Sequence, residues 1–130
     1  MAHLSPFRAH DLFRFNAVNL DHWTETYSLS FYLSYLATWP DLSYVQRAPG
    51  GGSGGGARGG GGMMGYVIGK AEGREEGKER HGHVTAITVA PEYRRLGVAQ
   101  GLMRLLERAS AAVYQVRCVV VIELCDDGQR

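Results

Sequence analysis

The stretch HVTAITVAPEYRRLGVAQGLMRLLE, His83 to Glu107, decides the fold. It begins as an alternating, β-branched strand. That alternation predicts His83, Thr85, Ile87 and Val89 on one face and Val84, Ala86 and Thr88 on the other. Pro91 closes the strand. From about Gly97 the period changes: Val98, Leu102, Leu105, Leu106 and Ala109 recur at helical spacing and predict an amphipathic helix to about Val113. Between the two lies Arg94-Arg95-Leu96-Gly97-Val98-Ala99. Two arginines at a helix start are electrostatically odd, because the helix dipole prefers anions there. Free backbone N–H groups, a Gly97 without Cβ and a small Ala99 make an anion site that would resolve the oddity. A solvated arginine pair beside a tight turn accounts for the local pattern equally well.

Upstream, Leu4 to Arg8 reads as a short strand. Asp11 is placed to cap a helix running to about Asn19, with Leu12, Phe13, Phe15 and Val18 as its apolar side. LDHWTETYS, Leu20 to Ser28, is a loop. SFYLSYLATWP predicts a second helix with Ser30 as N-cap; Phe31, Tyr35, Leu36 and Trp39 recur at helical spacing and Pro40 ends it. LSYVQ is a short strand. Residues 50–62 hold ten glycines in thirteen positions, too little apolar surface to offset backbone entropy, so a flexible hairpin spacer is expected. It lacks the lysine of a phosphate-binding P-loop. Met63 to Glu72 alternates as a strand. REEGKERHG is a charge-balanced turn, and a last strand lies near Arg117 to Leu124. The order predicts one mixed α/β domain over residues 1–130.

Composition narrows the function. The chain has 130 residues, 45% hydrophobic and 21% charged, with a net charge of +1 from 14 basic and 13 acidic side chains. That balance offers no electrostatic case for nucleic acid or membrane as the main partner. No apolar run is long enough to span a bilayer, and the first residues lack the features of a secretory signal. A cytoplasmic protein with Cys118 and Cys125 as free thiols is expected. Five histidines are present without metal-ligand spacing, so no metal is expected.

The segment from His83 to Glu107 resembles motif A of the GNAT acetyltransferases. The family's Arg/Gln-x-x-Gly-x-Gly/Ala signature is matched by Arg94, Gly97 and Ala99. The resemblance implies an acyl-CoA N-acyltransferase-like fold and binding of acetyl-CoA. Its pyrophosphate would rest on backbone N–H groups of the loop, and its pantetheine arm would lie along a strand that splays from its neighbour. Carried over by position, the cofactor contacts are Thr88 and Val89 on the strand and Arg94, Arg95, Leu96, Gly97, Val98, Ala99 and Gln100 on the loop. Longer blocks, His10 to Pro40, Met64 to Gly73 and His81 to Met103, resemble the catalytic subunits of the N-terminal acetyltransferase B (NatB) family. That likeness implies acetylation of α-amino groups on nascent proteins beginning Met-Asp, Met-Glu, Met-Asn or Met-Gln. It also implies a large helical auxiliary subunit, met near the ribosome through the first helices.

The same resemblance puts Glu25 and Tyr27 in the peptide site. Tyr27 would pack on the substrate methionine, and Glu25 would position the N-terminus or aid proton traffic. His83 and Thr85 would touch the first residues of the peptide, with His83 and Glu25 the catalytic candidates. On the residues alone, Glu25 reads as a solvated loop acid, Tyr27 as a packing residue and His83 as a strand-end histidine with a satisfied hydrogen bond. An α-amino pKa near 7.7–8.0 means that modest help with proton transfer suffices. After about Glu107 the pattern departs from the family's, residues 109–130 read as divergent, and the family's later asparagine and tyrosine find no counterpart. The fold is therefore expected to be incomplete at its C-terminus. VVVIELC either stands in for the splayed partner strand or is a remnant of a later one. A chain impaired in turnover that only binds acetyl-CoA or the auxiliary subunit, and a transferase for lysine or small-molecule amines, are the rival readings.

Overall fold

The computed structural model describes residues 3–13, 27–49, 62–73, 80–115 and 118–121. The expected helix beyond Phe13, Glu25, most of the glycine segment, most of the charged turn and the tail with Cys125 lie outside the described residues. Among those described, five strands form one sheet in the order β1 (His3–Pro6), β2 (Ser43–Arg47), β3 (Met63–Glu72), β4 (His81–Val89) and β5 (Cys118–Val121). The first four pair antiparallel. β5 runs parallel to β4, and that crossover needs the intervening helix α2 (Val98–Tyr114). The terminal valines, of which Cys118–Val121 is described, thus lie beside β4 as a parallel strand, a place that both readings of them allow.

β3 sits at the centre, and Tyr66, Val67 and Ile68 are completely buried, because both faces of the sheet are covered. On one face helix α1 (Leu29–Thr38) brings Tyr32 and Phe31 against Val45, Tyr66 and Ile68. On the other, Val98, Leu102 and Leu106 of α2 pack on Leu42, Val67 and Val84. Each fully buried leucine is worth about 1.5–3 kcal/mol relative to exposure. Among the described residues no helix is long and apolar enough to cross a membrane.

The start of α1 differs from the sequence expectation. Ser28, not Ser30, is the N-cap; its Oγ accepts the Phe31 N–H at 3.3 Å, while the Ser30 hydroxyl lies 3.0 Å from that of Ser28. The end is as expected: the Trp39 N–H closes on the Tyr35 carbonyl, and Pro40 begins the next turn. Asp11 is not a helix cap either. It lies within a 3₁₀ turn, Ala9–Phe13, completely buried. Its carboxylate accepts the Arg8 backbone N–H at 2.9 Å and an ion pair from Arg47 on β2, which ties that turn to the sheet. The first strand spans His3–Pro6 rather than Leu4 to Arg8.

The faces of β4 also differ from strict alternation. Gly69 pairs with Val84 and Ile68 with Ala86, so Thr85 is an extra residue at a β-bulge. Val84, Ile87 and Val89 therefore pack on the α2 side. Ala86 packs on the α1 side, where Thr85 bonds to Tyr35. A bulge shifts the two-residue period by one, which separates Thr85 from Ile87 and Val89.

Candidate functional site

A cleft of about 660 Å³ opens where β4 gives way to α2, lined by Val89, Tyr93, Arg94, Arg95, Gly97, Val98, Ala99 and Gln100. Of the residues expected to meet the cofactor, Thr88 and Leu96 are not in this lining. Thr88 is paired across the strands with Tyr66, and Leu96 is 67% exposed. Tyr93, absent from the sequence-derived set, joins it from the 3₁₀ turn Pro91–Tyr93. Its one sequence signal is an aromatic residue directly ahead of the arginine pair.

The chain's local chemistry suits this cleft to an anion. Gly97 is the N-cap of α2 in the left-handed region, φ 79° and ψ 13°, and no side chain caps the helix. The first intrahelical bond runs from the Gly101 N–H to the Gly97 carbonyl at 3.0 Å, so the amides before it have no helical acceptor. A Cβ built on Gly97 meets nothing within 4 Å. The space beside these amides is therefore open. Arg95 also has a positive φ, 63°, a conformation that costs a non-glycine residue about 1–2 kcal/mol and that clusters at functional sites. Arg94 points back along the strand, its Nε donating to the Val89 carbonyl at 3.1 Å. That bond fixes one cation at the edge of β4. β5 pairs with β4 only from His81 to Val84. Beyond Val84, among the described residues, β4 has no strand partner on that side, and the cleft meets the strand at Val89. Open amides, two arginines and a strand edge without a partner among the described residues fit a phosphate-bearing, extended ligand of the acyl-CoA kind.

A second cluster lies on the α1 side of the sheet. Tyr27 stacks on Phe31 with ring centroids 4.4 Å apart and planes 20° apart, and its N–H donates to the Tyr32 hydroxyl at 3.2 Å. The Thr85 Oγ1 donates to the Tyr35 hydroxyl at 3.2 Å. Lys70 stands directly opposite His83 across β3 and β4 and is ion-paired to Glu72 on its own strand. His83 does not behave as a strand-end histidine with a satisfied bond. Its Nδ1 is buried without a partner. Burial, and then the Lys70 cation, push its pKa below the usual 6.5. At neutral pH it is an uncharged imidazole with a lone pair to offer. Lys70 is raised, chiefly by its bond to Glu72, and the Glu72 carboxyl is lowered, chiefly by Lys70. Thr85 and Val89 are four residues apart on β4, roughly 13 Å, so one strand borders both clusters. Among the described residues no three His, Cys, Asp or Glu side chains gather to hold a metal ion.

Comparison with known proteins bears on this geometry. The family model for the acetyltransferase (GNAT) family matches residues 18–129, a span that continues past Glu107. The N-terminal acetyltransferase B complex catalytic subunit NAA20 of Arabidopsis thaliana is 49% identical over 85% of this chain and 56% of its own length. N-alpha-acetyltransferase 20 of Dictyostelium discoideum is 48% identical over 88% of this chain and 59% of its own. The chain thus spans a little over half the length of these relatives. Among solved structures, Chaetomium thermophilum Naa20 in complex with a bisubstrate analogue superposes with a TM-score of 0.71 at 36% identity, covering 92% of this chain and 60% of that one. A NatB acetyltransferase complex bound to CoA and MES gives a TM-score of 0.69 at 39% identity, covering 88% of this chain and 65% of that one.

Proposed function

We propose, taking as premise that the chain belongs to the acetyltransferase (GNAT) family, that it moves an acetyl group from acetyl-CoA to the α-amino group of a protein N-terminus. Its substrates are N-termini that begin with methionine followed by Asp, Glu, Asn or Gln. The observation that carries this reading is the uncapped start of α2 at Gly97, open beside Arg94 and Arg95 at the end of β4. The likeness to NatB catalytic subunits supports the choice of substrate.

In this reading the amides of Gly97 to Gln100 and the side chain of Arg95 hold the CoA pyrophosphate, with Tyr93 and Val89 walling the arm. Arg94 keeps the end of β4 in place. Backbone N–H groups near Val89 face the charge that develops on the reacting carbonyl oxygen. On the α1 side Tyr27, stacked on Phe31, receives the first side chain of the peptide. His83, uncharged, lies six residues from Val89 along β4, about 20 Å, so it carries the proton of the incoming ammonium through a relay rather than by direct contact. Glu25 joins it as a second carrier of that proton. The attacking amine forms the new C–N bond, the C–S bond breaks, and the proton taken from the amine is passed on toward the departing thiolate. Phe13 and, one turn apart on α1, Leu29 (55%) and Leu33 (41%) are exposed, a surface that suits a helical auxiliary subunit in the cytoplasm, near the ribosome.

The test combines calorimetric titration with CoA and an acetylation assay on Met-Asp peptides, with and without the auxiliary subunit. Micromolar CoA binding and transfer to the α-amine are expected. Binding without transfer under either condition reduces the chain to a binding module, transfer to lysine alone makes it a side-chain acetyltransferase, and absence of CoA binding removes the reading altogether.

A further inference from the structure

The pairing of β3 with β4 sets Lys70 opposite His83 and Glu72 opposite His81. Directly opposed residues point to the same face, so the four side chains form a two-by-two patch. The bulge brings Thr85 beside it, bonded to Tyr35. Within the patch the Lys70 ammonium is ion-paired to the Glu72 carboxylate, whose other oxygen lies 3.2 Å from His81 Nε2. Lys70 and Glu72 are both reachable from solvent, with side chains 24% and 38% exposed. His83 is uncharged near neutral pH, so the standing positive charge facing it is Lys70, and Glu72 cancels that charge. A patch balanced in this way gives neither a carboxylate nor an amide a large advantage.

Resting on the peptide-site reading above, we propose that the Lys70–Glu72 ion pair, rather than His83, determines whether the site prefers an acidic or an amide side chain at the second residue of its peptide substrate. Removing the Glu72 charge alone leaves Lys70 unopposed and favours the acid. Removing the Lys70 charge alone leaves a carboxylate facing the substrate and favours the amide.

The experiment uses the full chain, with its auxiliary subunit if turnover requires it, and two peptides identical except for Met-Asp or Met-Asn at the start. Dissociation constants by calorimetry in saturating CoA and kcat/KM are measured for the wild type, Glu72→Gln, Glu72→Asp and Lys70→Met. Interactions between partly exposed charges are worth about 0.2–1 kcal/mol, so Glu72→Gln is expected to raise the Asp:Asn preference about 1.4- to fivefold. Lys70→Met lowers it by a similar factor, and Glu72→Asp restores the wild-type ratio. A merely structural role would weaken both peptides together and leave the ratio unchanged. That result overturns the inference while the transferase reading stands. Transfer absent but both peptides bound overturns the reaction, and the ratio of dissociation constants still decides the inference. A wild type that binds neither peptide overturns both.

Discussion

Replacing Gly97 by alanine tests the start of α2 most directly. Gly97 has φ 79°, and an L-residue in the left-handed region is disfavoured by about 1–2 kcal/mol. The added methyl meets no atom within 4 Å, so no clash adds to that figure. The expected loss of stability is therefore about 1–2 kcal/mol, a fall in Tm of about 3–10 °C for a chain of this size. Gly101, one turn further on, is the internal control. A Cβ there also meets nothing within 4 Å, but the residue is helical with ordinary φ. Gly101→Ala should stabilise by about 0.5–1 kcal/mol, since glycine is the poorer helix former. The same atom added four residues apart thus changes stability in opposite directions. The Gly97 variant also narrows the space beside the open amides. Loss of one hydrogen bond to a charged phosphate is worth about 1.5–3 kcal/mol, so CoA should bind at least about tenfold more weakly, while Gly101→Ala binds it as the wild type does. Thermal melts and calorimetric CoA titrations of the three proteins measure both quantities. Wild-type melting together with wild-type CoA affinity in Gly97→Ala would refute the reasoning about this turn.

Three further outcomes follow from the packing. Asp11→Ala leaves the Arg47 guanidinium without its buried partner, and breaking such a pair destabilises by about 3–5 kcal/mol; urea unfolding at the lower end of that range is expected, because the Arg47 side chain is 23% exposed. Gly65→Ala puts a Cβ 2.8 Å from the Thr88 backbone carbonyl, which the strand cannot move aside cheaply, so a loss of about 1–3 kcal/mol should appear in chemical denaturation; an unchanged midpoint would mean that β3 and β4 are not in this register. His83 has a folded pKa below its usual 6.5, so below pH 6.5 the unfolded chain takes up the proton first. The stability His83 contributes is therefore complete above pH 6.5 and is lost as pH falls through the folded value. His83→Gln should flatten that decline, and an identical acid limb in wild type and variant, read by urea titrations across pH, would contradict the buried, unpartnered Nδ1.

The chemistry at Arg94 to Gln100 was legible because it is local. A strand that ends at a proline, a glycine at the helix start and a run of apolar residues at helical spacing all act within a few residues of each other. Met63 to Glu72 was legible for the same reason, and its bounds agree with the observed strand. Ser28 and Ser30 illustrate where local reading weakens. Both are good caps by residue type, and Ser28 is selected because its backbone is extended, φ −67° and ψ 155°, while Ser30 already lies inside the helix. Asp11 is a sharper case. As an acid near a helix start it looks like a cap, but its partner Arg47 is 36 residues away, and no local pattern contains that distance.

The peptide-side patch was the least legible part. His83 and Thr85 were identifiable as residues through the family resemblance, yet their grouping with Ile87 and Val89 on one face failed at the bulge, since a single extra residue in one strand leaves no periodic mark. Lys70, Glu72 and Tyr35 gave no signal at all, being ordinary residues on a strand and a helix until β3 pairs with β4 and α1 covers their face. By itself the amino-acid order determined the strand or helix character of the segments from Ser43 to Tyr114, both limits of β3 and the open amides at Gly97, because backbone preference and apolar period are properties of neighbouring residues. Only the tertiary structure decided which side of β4 carries Thr85, where Asp11 finds its counter-charge and what surrounds His83. Those depend on strand register and burial, which arise between segments distant in sequence and exist only once the sheet has closed against its two helices.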